Sequence, residues 1–361
     1  MKRFAIIVFF SLIPTILIWL PFFLRAKTFW NIPLPQNGLA TIVANYDGPL
    51  YLVAAKTLYD KGLIGSNFQF PLPSEYYAAH FPMFPILIRL LSVIVNSPYA
   101  MLTITLLTSI LAIYFFDKLS NNLFLTFVFA ILPARWLIVR SIGSPEPLFI
   151  GSIIASLYFF REKKYFWAGV WGAVAQFTKS PAILLFIAYS IYLIWQKKFE
   201  FKKYLPIFLI PLSLLLVFVM YYFLTGDFFA YFHSGDNIHL MFPPFQIFNY
   251  AAPWVGTFWL EEIIFVYLFG ILGIFKLFEK KEFEMAIFSA VYFFFILFVS
   301  HRDLVRYSLP IMPFLLLGFS DFVNKKEFKI ALCAIIIPIY LFSLAFISQN
   351  VMPISNWGPF L

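Results

Sequence analysis

Long apolar runs, broken by short basic or polar stretches, repeat from one end of the chain to the other. A helix that crosses a bilayer needs roughly 20 apolar residues. On that measure the candidate spans are 4–24, 99–116, 121–139, 146–160, 165–178, 181–196, 204–225, 260–277, 283–299, 307–323 and 328–347. The pattern predicts an all-α, polytopic integral membrane protein of about eleven transmembrane helices, with residues 1–361 forming a single transmembrane domain. The run 84–96 is also apolar, but it is short and carries Arg89, so it reads as an interfacial helix or half-span.

Two connecting stretches are long, 25–83 and 226–259. Long ordered loops tend to carry function. In the first, Leu50, Val53, Ala54, Thr57 and Leu58 recur at helical spacing, with Lys56 and Asp60 elsewhere on the wheel. This predicts a helix from Asp47 to Lys61 lying flat in the membrane interface and stopped at Gly62. Asp47 would sit in its first turn, where the helix dipole favours the ionised form.

The basic residues set an expected topology. Cytoplasmic loops are enriched in Lys and Arg. With the N-terminus inside, six short inner segments hold 16 of the 26 basic residues, among them Arg161, Lys163, Lys164, Lys197 and Lys198. Both long loops then face the extracytoplasmic side. Counting 84–96 as a crossing would put these clusters outside. Met1-Lys2-Arg3 before an apolar run resembles a signal peptide, but no small-residue cleavage site follows, so the segment reads as a retained first span.

Composition agrees with lipid as the main solvent: 62% of residues are hydrophobic, 22% aromatic and 12% charged. Soluble proteins carry about 25% charged residues. The net charge of +9 is accounted for by the inner loops, some of which can touch anionic headgroups, and no stretch points to nucleic acid. The single cysteine, Cys333, excludes a disulfide framework and a cysteine-based zinc site. His233 and His239 flank Asp236 without a recognisable ligand spacing, so a divalent metal is not indicated.

Polar groups are expensive near a bilayer and mark candidate sites. Four clusters and one lone cation fall on the expected outer face. They are Tyr46, Asp47 and Tyr51; His80 beside Phe81-Pro82; Arg140 with Ser144 and Glu146; Arg302, Asp303, Arg306 and Tyr307; and Lys179. One carboxylate with several cations can transfer a sugar from a lipid phosphate. The carboxylate takes the acceptor's proton and the cations stabilise the leaving phosphate. Each group also has a plainer role. Asp47 can cap its helix, Glu146 can answer a helix dipole, and His80 can satisfy the loop backbone. Lys179, Arg302 and Arg306 can snorkel or pair with Asp303.

Five segments, in order over about residues 1–320, resemble the GT-C glycosyltransferase superfamily. Tyr46-Asp47-Gly48-Pro49-Leu50-Tyr51 and His80-Phe81-Pro82-Met83-Phe84-Pro85 through Arg89 resemble the first loop of GPI mannosyltransferase II-like proteins. Ser144-Pro145-Glu146-Pro147-Leu148-Phe149 is similar to a Ser-Glu-x-Leu-Phe segment of that group. Thr178-Lys179-Ser180-Pro181 and Arg306-Tyr307-Ser308-Leu309-Pro310-Ile311-Met312-Pro313 resemble turns of the wider superfamily, which includes protein O-mannosyltransferases and lipid A aminoarabinose transferases. The family glycine after Lys179 is missing, and no second acid adjoins Asp47.

The resemblance implies an inverting transferase that moves a hexose, such as mannose, from a polyprenyl-phosphate donor to an extracytoplasmic lipid, glycan or protein. It implies Asp47 as the catalytic carboxylate, acting as general base, with Glu146 as a second acid of the catalytic site. Tyr46, Tyr51, His80, Arg140, Lys179, Arg302, Arg306 and Tyr307 are then substrate-binding candidates; the lipid-phosphate-linked sugar is the donor substrate, and no cofactor is assigned. The rival readings are a lipid or glycolipid transporter and a glycan polymerase or ligase.

Overall fold

Apolar periodicity becomes helix nearly everywhere in the computed structural model, which describes residues 2–68, 72–197, 200–235, 240–249 and 258–361. Among the described residues, four helices are both long and apolar enough to cross a bilayer: Lys2–Phe23, Ser97–Ser120, Phe201–Thr225 and Lys326–Gln349. They leave many large side chains exposed, such as Phe9, Phe23, Leu107, Phe223 and Ile337. That is the surface of an integral membrane protein, with lipid in place of water.

The expected count of eleven full crossings does not follow from helix length. Glu146–Arg161 has 16 residues, a rise of about 24 Å against a hydrocarbon core of roughly 30 Å. Tyr165–Thr178 and Phe283–Ile296 have 14 each. The expected span 121–139 is two helices, Leu123–Ile131 and Ala134–Val139. Pro133 lacks an N–H and pushes Leu132 into extended backbone, which breaks the helix there. The expected span 307–323 is one helix over Leu304–Gly318, tightened into a 3-10 turn at Leu309–Ile311 and ending short at Phe319.

Most of the helix packing joins elements that are not neighbours in sequence. Glu146–Arg161 lies between Ser97–Ser120 and Tyr165–Thr178, and the last also packs on Leu209–Thr225. Ile183–Trp195 meets Phe283–Ile296, and Glu262–Glu279 meets Met312–Gly318. Arg3 ties Lys2–Phe23 to Ser97–Ser120 through a fork onto buried Asp117, at 2.8 and 2.9 Å. Among the described residues, the buried apolar side chains form two clusters. One is centred on Phe116, Phe129, Phe160, Phe288 and Phe314. The other gathers the first loop, with Tyr51, Tyr59, Phe81 and Phe84, against Tyr221 and Leu344. Tyr46 packs against both, so the site sits at their seam.

The first long loop is folded. A two-stranded antiparallel hairpin pairs Thr28 with Pro33 and Phe29 with Ile32. The expected helix is Gly48–Thr57, and it is shorter and better covered than its pattern predicts. Gly48 to Ala55 and Thr57 are all buried, so the helix is part of the loop's core. It stops at Leu58 in the left-handed conformation. Gly62 is no terminator but lies inside the next helix, Lys61–Asn67. The apolar run after His80 gives Met83–Leu91, a nine-residue helix too short to cross.

Candidate active site

Gly48 sets the position of Asp47. A side chain at 48 would come within 2.6 Å of the Val43 carbonyl oxygen and 3.2 Å of the Gly143 carbonyl oxygen. Glycine therefore lets the start of Gly48–Thr57 press on the turn that leads to Glu146, and Pro49 fits the first helical turn. Asp47 occupies the N-cap position, yet its side chain makes no capping bond. Asp60, by contrast, caps its helix by accepting from the Leu63 N–H at 2.8 Å. The capping role is thus filled by Asp60 and not by Asp47.

The Asp47 carboxylate turns instead to Arg306, whose Nη2 donates to Oδ2 at 3.1 Å. The same guanidinium donates from Nε to Glu146 Oε1 at 2.7 Å. Lys179 Nζ donates to that oxygen at 2.6 Å. The Ser144 hydroxyl takes the other oxygen, Oε2. Glu146 is therefore fully engaged and 3% exposed, while Asp47 is 34% exposed. Residues distant in sequence meet here in one charge-balanced group of two acids and two cations.

Burial by itself would raise the Asp47 carboxyl. Arg306, then His80 and Lys179, outweigh both that and the repulsion from Glu146, and hold it below the usual carboxylate range. Asp47 is ionised at neutral pH. Its stabilising contribution is complete above the ordinary carboxylate pKa and is lost as pH falls through its own, lower value.

Asp47, Tyr51, His80, Lys179, Arg306 and Tyr307 line a cavity of about 80 Å³. His80 is held through its carbonyl, which accepts from Tyr59 at 2.7 Å and Tyr221 at 3.2 Å. Its ring meets Tyr51 edge to face at 4.7 Å. Tyr46 stands behind Arg306, with the guanidinium carbon 4.4 Å from its ring centre. Beside this cavity lies an apolar one of about 290 Å³, lined by Leu184, Leu214, Phe218, Phe295 and Ile296 among others. Ser180, Pro181, Tyr231 and Tyr307 belong to both walls.

Two sequence candidates lie elsewhere. Arg140 is fully buried, with its guanidinium bonded to the carbonyls of Ala130 at 2.9 Å and Ser11 at 2.8 Å. It joins the first helix to the end of Leu123–Ile131 and does not line the cavity. Arg302 is exposed and also absent from its lining. In the second long loop, His233 pairs with Asp227 at 2.6 Å, whereas Asp236 and His239 lie outside the described residues. Among the described residues, no group of three His, Cys, Asp or Glu is arranged to hold a metal.

Arg135 escaped the sequence reading. Its guanidinium donates to Tyr46 Oη at 2.8 Å, pairs with Asp303 at 3.4 Å and covers the Phe346 ring at 3.9 Å. Tyr46 in turn donates to Asp303 at 3.1 Å. An arginine inside the apolar run 121–139 was the available signal. Tyr231, which shares a hydrogen bond of 2.8 Å with Ser180, came with no such signal.

No family model matches the chain, and no curated protein matches it either. Among solved structures, the fold is similar to ArnT from Cupriavidus metallidurans bound to undecaprenyl phosphate, with a TM-score of 0.59 at 13% identity. The match covers 92% of this chain and 63% of ArnT, so the chain spans less than two thirds of that protein. The likeness establishes an ArnT-like fold.

Proposed function

We propose that this chain is a membrane glycosyltransferase of the GT-C type, taking its sugar from a polyprenyl-phosphate carrier. The observation that carries the reading is the joined pair of cavities. A charged pocket with Asp47, Lys179 and Arg306 shares a wall with a larger apolar one. A ligand with a phosphate head and a hydrocarbon tail fits that pairing, and undecaprenyl phosphate is the lipid bound in ArnT.

In this reaction Asp47 is the general base. The acceptor hydroxyl attacks the anomeric carbon and gives its proton to Asp47 as the bond from that carbon to the phosphate oxygen breaks. A single displacement of this kind inverts the anomeric centre. The negative charge left on the phosphate is met by Lys179, which uses one N–H on Glu146, and by Arg306, whose Nη1 makes neither carboxylate bond. Glu146 is not a second base, because both its oxygens are engaged and it is buried; it holds Lys179 and Arg306 in place. Tyr51, His80 and Tyr307 complete the pocket for the sugar. The donor sugar is a hexose, and the acceptor is an extracytoplasmic lipid, glycan or protein.

Native mass spectrometry of the purified protein with undecaprenyl phosphate and undecaprenol tests the carrier assignment. The phosphate lipid is expected to bind in clear preference to the alcohol. Lys179→Ala should weaken it about 10- to 100-fold, the worth of one charge-assisted hydrogen bond. Equal binding of both lipids overturns the assignment. Lipid movement across vesicles without any sugar transfer would favour a transporter.

A further inference from the structure

Among the described residues, Asp47 makes a single side-chain hydrogen bond, so its aim depends on the backbone that carries it. That backbone is unusual. Tyr46 has φ 50°, in the left-handed region that a residue with a Cβ adopts only when its surroundings hold it there. What holds it is the end of the last long helix, Lys326–Gln349, together with the segment that follows it. The Tyr46 N–H donates to the Asn350 carbonyl at 3.3 Å, and the Met352 N–H donates to the Ala44 carbonyl at 2.8 Å. Asn45 forms an antiparallel bridge with Val351. Its side chain is fully buried and donates to the Ile347 carbonyl at 2.7 Å. The Tyr46 ring stacks on Phe346 at 5.5 Å.

The same segment then crosses to the other flank of Asp47. Its last turn, Gly358–Phe360, packs on Gly48–Thr57. Phe360 is 3% exposed and lies against Phe68 at 5.1 Å and Trp357 at 5.6 Å. Residues before and after Asp47 are thus held by one stretch of chain from far along the sequence.

We infer that Asn350–Leu361, anchored on Asn45, is a strap that positions the Asp47 carboxylate in the polar cavity. This rests on the reading of Asp47 as the base. The strap does not touch the reacting atoms; Asn45 and Met352 are positioning residues. A segment that only covered the loop would add stability without governing what position 47 faces.

A thiol at position 47 separates these two roles without a known substrate. In the full chain carrying Cys333→Ala and Asp47→Cys, the rate of modification is measured with an anionic and a cationic methanethiosulfonate of similar size. Both rates follow the thiolate fraction, so their ratio reports the local potential. With the strap intact, Arg306 and Lys179 should favour the anionic reagent by roughly tenfold or more over a free thiol. Adding Asn45→Ala, or Met352→Pro to delete the N–H bonded to Ala44, should lower the ratio about tenfold, toward that of the free thiol. Phe360→Ala, which loosens only the far anchor and guards against misfolding of the others, should give a partial fall. A lowered unfolding temperature with an unchanged ratio in all three variants overturns the strap and leaves the site standing. No anionic preference even with the strap intact overturns the cationic pocket itself, and the strap with it.

Discussion

Asp47→Asn should insert and fold normally, still bind the carrier lipid, and lose sugar transfer by about 10²- to 10⁴-fold, the usual contribution of a general base. The amide keeps the size and can still accept a hydrogen bond from Arg306, but it cannot take a proton from the acceptor. Asp60→Asn is the matched control on the next helix. It retains a good N-cap over the Leu63 N–H and should leave transfer nearly unchanged. The cations around Asp47 hold its carboxyl below the ordinary range, so the acidic limb of the rate should lie below the ordinary carboxylate range as well. Near-normal transfer by Asp47→Asn, measured with labelled polyprenyl-phosphate sugars, removes Asp47 from the base role.

The largest effect on stability is expected from Arg306→Ala. Arg306 is 12% exposed and bridges both acids of the site, while Glu146 is 3% exposed. Removing the guanidinium leaves Glu146 buried with Lys179 as its one cation, and leaves Asp47 without its hydrogen bond. Breaking a buried pair in this way costs about 3–5 kcal/mol. Arg306→Lys should rescue little, since an ammonium cannot present the two directed donors that reach Glu146 and Asp47 together. Thermal unfolding in detergent reads the loss. Lysine restoring full stability would mean that the bridge is simple charge balance, without the fork's geometry.

Much of this site was legible because the bilayer makes polar residues conspicuous. Asp47, Lys179 and Arg306 each interrupt or border an apolar run, and each reaches the cavity. Helix presence was also legible, since apolar runs of this length have few other fates. Direction was not. Arg140 and Glu146 lie six residues apart at one turn, yet Arg140 points back to the Ser11 carbonyl and Glu146 toward Arg306. Spacing cannot report which way a turn sends its side chains.

The cover over helix 48–57 was not legible for a related reason. Lys56 suggested a water-facing side, but the segment is short and the rest of its surface is covered by Tyr77, Phe84 and Phe360. Pro133 broke an expected span through a local rule that an apolar count overlooks. The contacts of Asn45 with Ile347 and Val351 join residues some 300 positions apart, which no local pattern contains.

The most direct measurement is a structure of the protein with undecaprenyl phosphate bound. The account predicts the phosphate within hydrogen-bonding distance, about 3 Å, of Lys179 Nζ and Arg306 Nη1. The chain should run past Tyr231 and Tyr307 into the cavity lined by Phe218 and Phe295, and Asp47 should remain open to an acceptor. A phosphate bound away from Lys179 and Arg306, or a lipid tail outside that apolar cavity, would contradict it.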